Sequence, residues 1–222
     1  MGSQSENRPV GEQADAETDE RLPRLYFMPR TRSIRALWML EEIGRDYDLT
    51  QIFGAERRST EHLRRHPLGR VPALELDDGT TMFESAAICL QLADMNPAAG
   101  LIPPLRSTKR ALTYQWVLFS VTELEAPLFR WIHETRTGTA AEPDSRDRFR
   151  AGAAAIASAL DGRDWLVGET FTVADLMCAS VLQGANARGL LAPWPRLEAY
   201  VQQSESRPAY SRAAAISDRP RN

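Results

Sequence analysis

The stretch from Gly69 to Ser85 restricts the possible folds of this chain more than any other, and its sequence is GRVPALELDDGTTMFES. Apolar residues on both sides of Asp-Asp-Gly predict two short strands joined by a tight turn, because an Asp-Gly pair favours a hairpin. Pro72 stands at the start of the first strand, where its missing N–H costs no ladder hydrogen bond. If Val71 presents its own backbone N–H and C=O there, an extended peptide ligand can pair with it as an additional strand.

Strands and helices alternate in the first part of the chain. Apolar spacing predicts a strand at Leu25–Met28, a helix at Thr31–Ile43, a strand at Tyr47–Phe53, a short helix at Thr60–Arg65, the hairpin, and a helix that begins at Glu84-Ser85. This order, β-α-β-α-β-β-α, predicts a small mixed sheet covered by helices. We assign residues 22–95 to this domain.

The pattern changes at Asn96. Asn96-Pro97, Gly100 and Pro103-Pro104 have the composition of a linker, which we assign to residues 96–106. Beyond the linker no segment alternates like a strand, and the spacing predicts helices at Ser107–Thr135, at Asp144–Leu160, after the capping box Thr172-Val-Ala-Asp175, and after Pro195 and Pro208. We therefore expect residues 107–222 to form an all-α helical bundle domain.

Composition excludes several classes of function. A formal net charge of −3 over 222 residues gives no general affinity for nucleic acid, and no apolar run reaches the roughly 18 residues of a membrane span. Residues 1–21 are acidic and lack aromatic side chains and the apolar region of a signal peptide, which predicts a disordered tail. Cys89 and Cys178 fall in apolar helical patterns and fit no metal or disulfide framework. We expect a soluble, cytoplasmic protein with no metal and with no nucleic-acid or membrane partner.

Four motifs, in this order and spacing, resemble the cytosolic glutathione transferases over roughly residues 23–216. The first motif has two parts, LYFMP from Leu25 and SIRALWMLEEIG from Ser33. The other three are PLGRVPAL from Pro67, ESAAI from Glu84 and FTVAD from Phe171. The resemblance implies an α+β thioredoxin-like N-terminal domain, an all-α C-terminal helical bundle domain and, usually, a homodimer. It also implies that the peptide bond between Val71 and Pro72 is cis.

The implied chemistry is a detoxification reaction in which glutathione, the co-substrate, is conjugated to a small hydrophobic electrophile. It needs a thiolate at neutral pH, and lowering a thiol pKa from about 8.5 to roughly 6.5 takes about 2.7 kcal/mol of selective stabilisation of the anion. In bacterial members of the theta- and delta-like type, a serine hydroxyl four residues before an arginine of the first helix supplies this stabilisation of the thiolate. Counting back from Arg35 gives Thr31, which keeps the hydroxyl, and Ser33 is a second candidate. Alternatively, Thr31 is only the N-cap of its helix.

The resemblance also implies glutathione contacts in the opening stretch. The backbone of Val71, next to Pro72, would pair with the cysteinyl part of glutathione. Glu84 and Ser85 would receive the γ-glutamyl ammonium and carboxylate groups, since a carboxylate binds an ammonium and a helix N-terminus binds an anion. Arg70 would lie near the glycine carboxylate. The alternatives are ordinary helix capping by Glu84-Ser85 and a solvated loop arginine.

Arginines crowd the predicted start of the first helix. Arg30, Arg32 and Arg35 lie where the helix dipole disfavours cations, and local conflicts of this kind often mark functional sites. A bound anion would resolve the conflict. Alternatively, the three side chains point into solvent or pair with acidic residues elsewhere in the chain.

Two classes of function stay open. The first is a glutathione S-transferase whose second-substrate pocket lies between the domains, along the helix of residues 107–135, with possible contributions from Tyr114, Trp116, Trp131 and His133. The second is a non-catalytic binding or regulatory protein of the same fold. A glutathione-dependent thiol oxidoreductase would need a cysteine near Thr31, and the segment Arg30-Thr-Arg-Ser33 has none.

Overall fold

The computed structural model of this protein describes residues 21–139 and 144–219 of its 222 residues. The tail predicted at residues 1–21 therefore lies outside the described residues, except for Arg21. The described residues form one mixed sheet of four strands: β1 (Arg24–Phe27), β2 (Asp48–Gln51), β3 (Ala73–Glu75) and β4 (Thr81–Phe83). Its order is β2-β1-β3-β4, with β1 and β2 parallel and the two other pairs antiparallel.

Three helices accompany the sheet: α1 (Ser33–Ile43), α2 (Thr60–Arg65) and α3 (Ser85–Met95). Short 3₁₀ turns at Gly54–Arg58 and Pro97–Ala99 precede α2 and follow α3. The described residues that follow form only helices: α4 (Thr108–Phe119), α5 (Ala126–Thr137), α6 (Asp144–Ala159), α7 (Val173–Asn186), α8 (Pro195–Glu205) and α9 (Pro208–Ser217). The predicted fold class, a thioredoxin-like unit followed by a helical bundle, is confirmed.

The β3–β4 hairpin turns where the Asp-Asp-Gly sequence predicts. The N–H of Leu76 donates to the carbonyl of Thr80 at 2.8 Å, and the N–H of Gly79 donates to the carbonyl of Leu76 at 2.9 Å. Gly79 has a φ of +82°, which glycine adopts without the steric cost of a Cβ. Predicted bounds of the other strands and of α1 agree with the structure to within two residues.

The prediction of one helix over Ser107–Thr135 is wrong, because this segment is not a continuous α-helix. A π-helical segment, Ser120–Glu125, separates α4 from α5. Pro127, in the first turn of α5, explains the interruption: it has no N–H to donate to the carbonyl four residues earlier, and its ring would clash with that carbonyl. The segment packs directly on α6, since a Cβ at Gly152 would lie 2.7 Å from the carbonyl oxygen of Glu123.

Helix α1 joins the sheet to the helical part of the chain. Its Trp38 is 1 % exposed and packs between the rings of Phe171 and Tyr210, at centroid distances of 5.6 and 4.9 Å. The guanidinium of Arg207 donates to both carboxylate oxygens of Glu42, at 2.6 and 2.7 Å, and so ties the start of α9 to α1. The first helix is therefore covered by the last one.

The capping box predicted at the start of α7 is confirmed. The carboxylate of Asp175 accepts the N–H of Thr172 at 2.9 Å, as a capping box requires. It also accepts the N–H of Leu166 and the hydroxyl of Tyr200, each at 2.9 Å. Asp175 is fully buried, and burial raises the pKa of its carboxyl even though these donors act in the opposite direction. The box anchors α7, in which ten of the residues are buried.

Candidate functional site

Two hydroxyl groups meet at the start of α1. The hydroxyl of Thr31 donates to the carbonyl of Met28 at 2.7 Å and lies 2.9 Å from the hydroxyl oxygen of Ser33. It also accepts the backbone N–H of Ser33 at 3.2 Å. Ser33 is fully buried, whereas Thr31 is half-buried. The regular α-helix begins at Ser33, with Arg32 at the cap position and no cap bond from its side chain, but the Thr31 oxygen accepts the N–H of Ser33 as an N-cap oxygen does, so the N-cap alternative for Thr31 stays a prediction.

The proton arrangement of this pair follows from its geometry. One hydroxyl carries one proton, so Thr31 cannot donate to Met28 and to Ser33 at the same time. Thr31 is the donor in both bonds, so its single proton goes either to the carbonyl of Met28 at 2.7 Å or to the hydroxyl oxygen of Ser33 at 2.9 Å. A rotation of the Thr31 O–H away from these two acceptors would free its proton for a ligand, while the backbone N–H of Ser33 still donates to the Thr31 oxygen.

The segment before β3 presents free main-chain groups. The peptide bond between Val71 and Pro72 is cis, as the resemblance implies. The ladder between β1 and β3 ends at the pair of Tyr26 and Ala73. Among the described residues, no backbone hydrogen bond uses the N–H or the C=O of Val71. This edge can therefore accept an extended peptide without breaking an existing bond.

Two buried histidines hold the loop that leads to Val71. Nε2 of His62 lies 2.9 Å from the carbonyl oxygen of Arg70, and Nδ1 of His66 accepts the N–H of Leu68 at 3.3 Å. Burial lowers the pKa of His66, which favours the neutral ring that can accept this bond. Gly69 has a φ of +59°, and a Cβ there would lie only 2.4 Å from a neighbouring carbonyl oxygen. The loop is thus fixed from α2, while the side chain of Arg70 stays exposed.

Strained backbone marks the start of α3. Glu84, which is exposed, has a φ of +71°, a conformation that costs a non-glycine residue on the order of 1–3 kcal/mol. The next residue, Ser85, is 5 % exposed, and its hydroxyl oxygen accepts a hydrogen bond from Nη1 of Arg35 at 3.3 Å. Ordinary capping by Glu84 is absent, since its side chain makes no cap bond. The free N-terminal N–H groups of α3 remain suited to an anion.

A buried carboxylate joins this site to the helical part of the chain. Glu125, the last residue of the π-helical segment, is 1 % exposed. It accepts Nη2 and Nη1 of Arg35 at 2.5 and 3.3 Å and Nε of Arg32 at 2.9 Å. Nε of Arg35 donates to the hydroxyl of Ser180 in α7 at 2.8 Å. Arg35, itself 4 % exposed, therefore contacts the start of α3 and the helical bundle at once.

The charge of this cluster favours a further anion. Burial by itself would raise the pKa of Glu125, but the guanidinium groups of Arg35 and Arg32 outweigh it and hold that pKa below its ordinary value. Glu125 is thus ionised at neutral pH, and one negative charge faces two positive charges. The side chain of Arg32 remains 45 % exposed. An anionic ligand beside it would complete the charge balance.

Glu125 is the residue of this site that sequence reasoning missed. The sequence does show that Arg32 and Arg35 are in conflict with a helix start, and pairing with distant acidic residues is the alternative that the structure confirms for these two. Arg30 is exposed, has a φ of +58° and makes no ion pair within the described residues. The only sequence signal for Glu125 is its place next to Leu124 in the predicted helix.

The residues suggested for the second substrate are not all brought together. Tyr114 lies beside Arg110, which donates to its hydroxyl at 3.2 Å, and Trp116 packs against the core. Trp131 lines a cavity of about 350 Å³ beside α5, and His133 is exposed on the same helix. Within residues 21–139 and 144–219, no helix is long and apolar enough to cross a membrane, and no three His, Cys, Asp or Glu side chains cluster to hold a metal.

Comparisons with known proteins match both parts of the chain. The model of the glutathione S-transferase N-terminal domain matches residues 31–106, and that of the C-terminal domain matches residues 125–203. Glutathione S-transferase GstA of Escherichia coli is 32 % identical over 192 residues, which cover 83 % of this chain and 94 % of that protein.

Solved structures agree with the sequence comparison. A sphingomonad glutathione S-transferase complexed with glutathione is 30 % identical, with a TM-score of 0.74 over 87 % of this chain and 98 % of its own. A glutathione transferase from Methylococcus capsulatus is 27 % identical, with a TM-score of 0.76 over 88 % and 98 % of the two chains.

Proposed function

This chain belongs to the glutathione S-transferase family and is a glutathione transferase, and we propose that it binds its co-substrate between the Val71 backbone and the start of α1. The observation that carries the proposal is the free main chain of Val71. The antiparallel register of β1 and β3 pairs Tyr26 with Ala73. Two residues further along each strand, the same register puts Val71 at the same end of the sheet as Met28. A peptide paired with Val71 would thus have its cysteinyl thiol near the Thr31 hydroxyl.

The γ-glutamyl end of glutathione would occupy the start of α3. Its α-carboxylate fits the free N–H groups of that helix and the hydroxyl of Ser85, close to the guanidinium of Arg35. Its α-ammonium fits the exposed carboxylate of Glu84, which stands next to Ser85 at the start of the helix. At the other end of the tripeptide, the exposed guanidinium of Arg70 would receive the glycine carboxylate.

Thr31 is proposed as the donor to the thiolate. When glutathione is bound, the O–H of Thr31 would turn from the Met28 carbonyl and the Ser33 hydroxyl to the sulfur, while the backbone N–H of Ser33 continues to donate to the Thr31 oxygen. Chains of hydrogen bonds strengthen one another in a low-dielectric site, and the nearby start of α1 favours the anion. The thiolate then attacks the electrophile: the sulfur–carbon bond forms, the leaving group departs with its electron pair, and the thiol proton passes to water.

The test combines binding with turnover. Wild-type protein should bind glutathione in a calorimetric titration and conjugate it to 1-chloro-2,4-dinitrobenzene. Thr31→Ala should lower kcat roughly 10- to 100-fold and raise the pH at which the rate half-saturates, because one charge-assisted bond is worth about 1.5–3 kcal/mol. Thr31→Ser should retain activity, and Thr137→Ala, which removes an exposed hydroxyl of α5, serves as the control.

Two results would contradict this proposal. Unchanged rates in both Thr31→Ala and Ser33→Ala would remove these hydroxyls from the mechanism. Binding of glutathione without turnover of any electrophile would instead support the regulatory alternative.

We also propose that the protein is a homodimer. Apolar side chains remain exposed in the single chain on α2, the following loop, β4 and α4, namely Leu63, Leu68, Phe83 and Leu118. A symmetric contact between two copies would bury them. Sedimentation equilibrium should give twice the mass of one chain, and Leu118→Glu should shift it towards the monomer.

The two cysteines support a cytoplasmic location. Cys89 and Cys178 are free and fully buried, as expected for a protein that works in a reducing compartment. Fractionation of cells that express the full-length protein tests this location.

A further inference from the structure

A cavity of about 350 Å³ lies between α5 and the segment that follows α7. We propose that this α5–α7 cavity receives the distal end of the second substrate and selects electrophiles that carry a carboxylate or a sulfonate on an aromatic body. The proposal rests on the transferase site described above and specifies its substrate class. The lining residues are Trp131, Ile132, Thr135, Arg136, Arg188 and Leu190.

The cavity continues the face of α5 that begins at the glutathione site. From Glu125, steps of four, three and four residues lead to Phe129, Ile132 and Arg136, which therefore lie on one side of the helix. Phe129 is 51 % exposed, and its ring lies 5.2 Å from the guanidinium of Arg32. At ~1.5 Å of rise per residue, Arg136 lies roughly 16 Å along the axis from Glu125. A substrate that lies along this face meets the thiolate at one end and the cavity at the other.

The cavity combines an apolar floor with unbalanced positive charge. Trp131, Ile132 and Leu190 supply the floor, and none of the lining residues is acidic. The side chain of Arg136 makes no hydrogen bond or ion pair within the described residues. Arg188 is exposed, and the only bond of its guanidinium in the same residues is to the carbonyl of Gly184, at 2.6 Å.

Two guanidinium groups without carboxylate partners, beside an indole ring, match an anionic aromatic ligand. The competing explanation is that each arginine stabilises the C-terminal end of its own helix through the helix dipole. That explanation requires no ligand, and it predicts that neutral and anionic ligands bind equally well.

The size of the cavity limits what enters it. A volume of about 350 Å³ is at the lower end of the range for small-molecule pockets, roughly 300–1,000 Å³. It holds a ring and its acidic group rather than a whole conjugate. In the reaction the anionic group takes no part: the thiolate sulfur bonds to the electrophilic carbon, the carbon–halogen bond breaks, and the halide leaves with its electron pair.

A binding experiment tests the cavity apart from catalysis. The probes are the fluorescent anion 1-anilinonaphthalene-8-sulfonate and its neutral analogue N-phenyl-1-naphthylamine. The double variant Arg136→Gln/Arg188→Gln should weaken binding of the sulfonate about tenfold and change binding of the neutral probe less than twofold, as expected for a lost charge-assisted contact. Arg130→Gln removes an exposed arginine of α5 outside the cavity and should change neither. Equal binding of the sulfonate by wild type and double variant overturns the proposal.

A kinetic experiment connects the cavity to the reaction. With glutathione, the double variant should raise KM for 4-chloro-3-nitrobenzoate about tenfold, at unchanged kcat, and leave KM for the neutral 4-chloro-3-nitrobenzamide within twofold. Equal changes for the two substrates contradict the proposal. If the wild type conjugates 1-chloro-2,4-dinitrobenzene but neither of these substrates, the proposed substrate class is refuted; if it conjugates none of the three, the proposed mechanism of transfer fails instead, and the fluorescence result still decides whether the cavity selects anions.

Discussion

Replacing Glu125 by alanine should destabilise the protein far more than an ordinary change in a helix. The carboxylate is 1 % exposed and accepts three hydrogen bonds from Arg32 and Arg35. Without it, the guanidinium of Arg35, which is 4 % exposed, keeps only neutral partners such as Ser85 and Ser180. The variant would therefore contain a buried charge that no anion compensates.

The magnitude follows from this burial. Removal of one partner from a buried ion pair costs about 3–5 kcal/mol, because the remaining charge is desolvated without compensation. For a chain of this length, ~1 kcal/mol corresponds to about 2–4 °C, so the thermal midpoint should fall by roughly 6–20 °C. The free energy of unfolding is best measured in urea at one fixed protein concentration, since association would otherwise contribute.

Glu123→Ala is the matched control. It lies in the same π-helical segment, and its carboxylate meets Arg148 at 3.3 Å, with about half of each side chain exposed to solvent. Exposed pairs contribute about 0.2–1 kcal/mol, so this variant should unfold within about 1 kcal/mol of the wild type. A double variant, Arg35→Met with Glu125→Leu, removes the uncompensated charge and should recover at least half of the loss.

The loss in Glu125→Ala should also depend on pH. The folded pKa of Glu125 lies below its ordinary value of 4.5. The contribution is therefore fully present above that value and disappears as the pH falls through the folded pKa. The reasoning is refuted if Glu125→Ala is no less stable than Glu123→Ala at pH 7, or if its deficit grows on acidification.

Three further predictions concern other parts of the molecule. Burial raises the pKa of the Cys89 thiol to about 12 and that of Cys178 well above its ordinary range. A disulfide reagent at pH 8 should therefore label neither cysteine until urea unfolds the chain. Prompt labelling of the folded protein would contradict this prediction. Burial lowers the pKa of His66, so stability should fall as the pH drops below about 6.5, and His66→Asn, whose side-chain oxygen can still accept, should flatten that dependence in urea midpoints. Gly152→Ala puts a Cβ 2.7 Å from a carbonyl oxygen of the π-helical segment and should lower the free energy of unfolding by about 1–3 kcal/mol. Gly184→Ala, where a Cβ has room, should lower it by less than about 0.5 kcal/mol. Calorimetry compares the two variants.

The sequence predicts the features whose causes are local. The Asp-Asp-Gly turn, the Thr172–Asp175 capping box and the end of α1 at Ile43 each depend on a few neighbouring residues, and each is found; Gly44, with a φ of +72°, caps that end of α1. The interruption of the helix by the π-helical segment is also predictable from the sequence, because Pro127 cannot continue an α-helical ladder. It was missed because the apolar spacing on both sides of it fits a single helix.

The pairing of Arg35 with Glu125 at the centre of the candidate site cannot be predicted from the sequence, for a different reason. Arg35 and Glu125 are 90 residues apart, and local patterns cannot choose one carboxylate partner among 30 acidic residues. The sequence shows the electrostatic conflict at the arginines, and tertiary packing decides how it is resolved. The roles of Thr31 and Ser33 depend likewise on which hydroxyl is buried.

The cover of α1 by α9 has a consequence for biosynthesis. Glu42 is made early, and its partner Arg207 leaves the ribosome 165 residues later. At roughly 5–20 residues per second, the face of α1 that carries Trp38 stays uncovered for about 8–33 s in the nascent chain. During that time the indole of Trp38 lacks the cover that Tyr210 of α9 provides. A chain that stops before α9 would keep that side of the indole exposed to solvent and would lack both hydrogen bonds from Arg207 to Glu42.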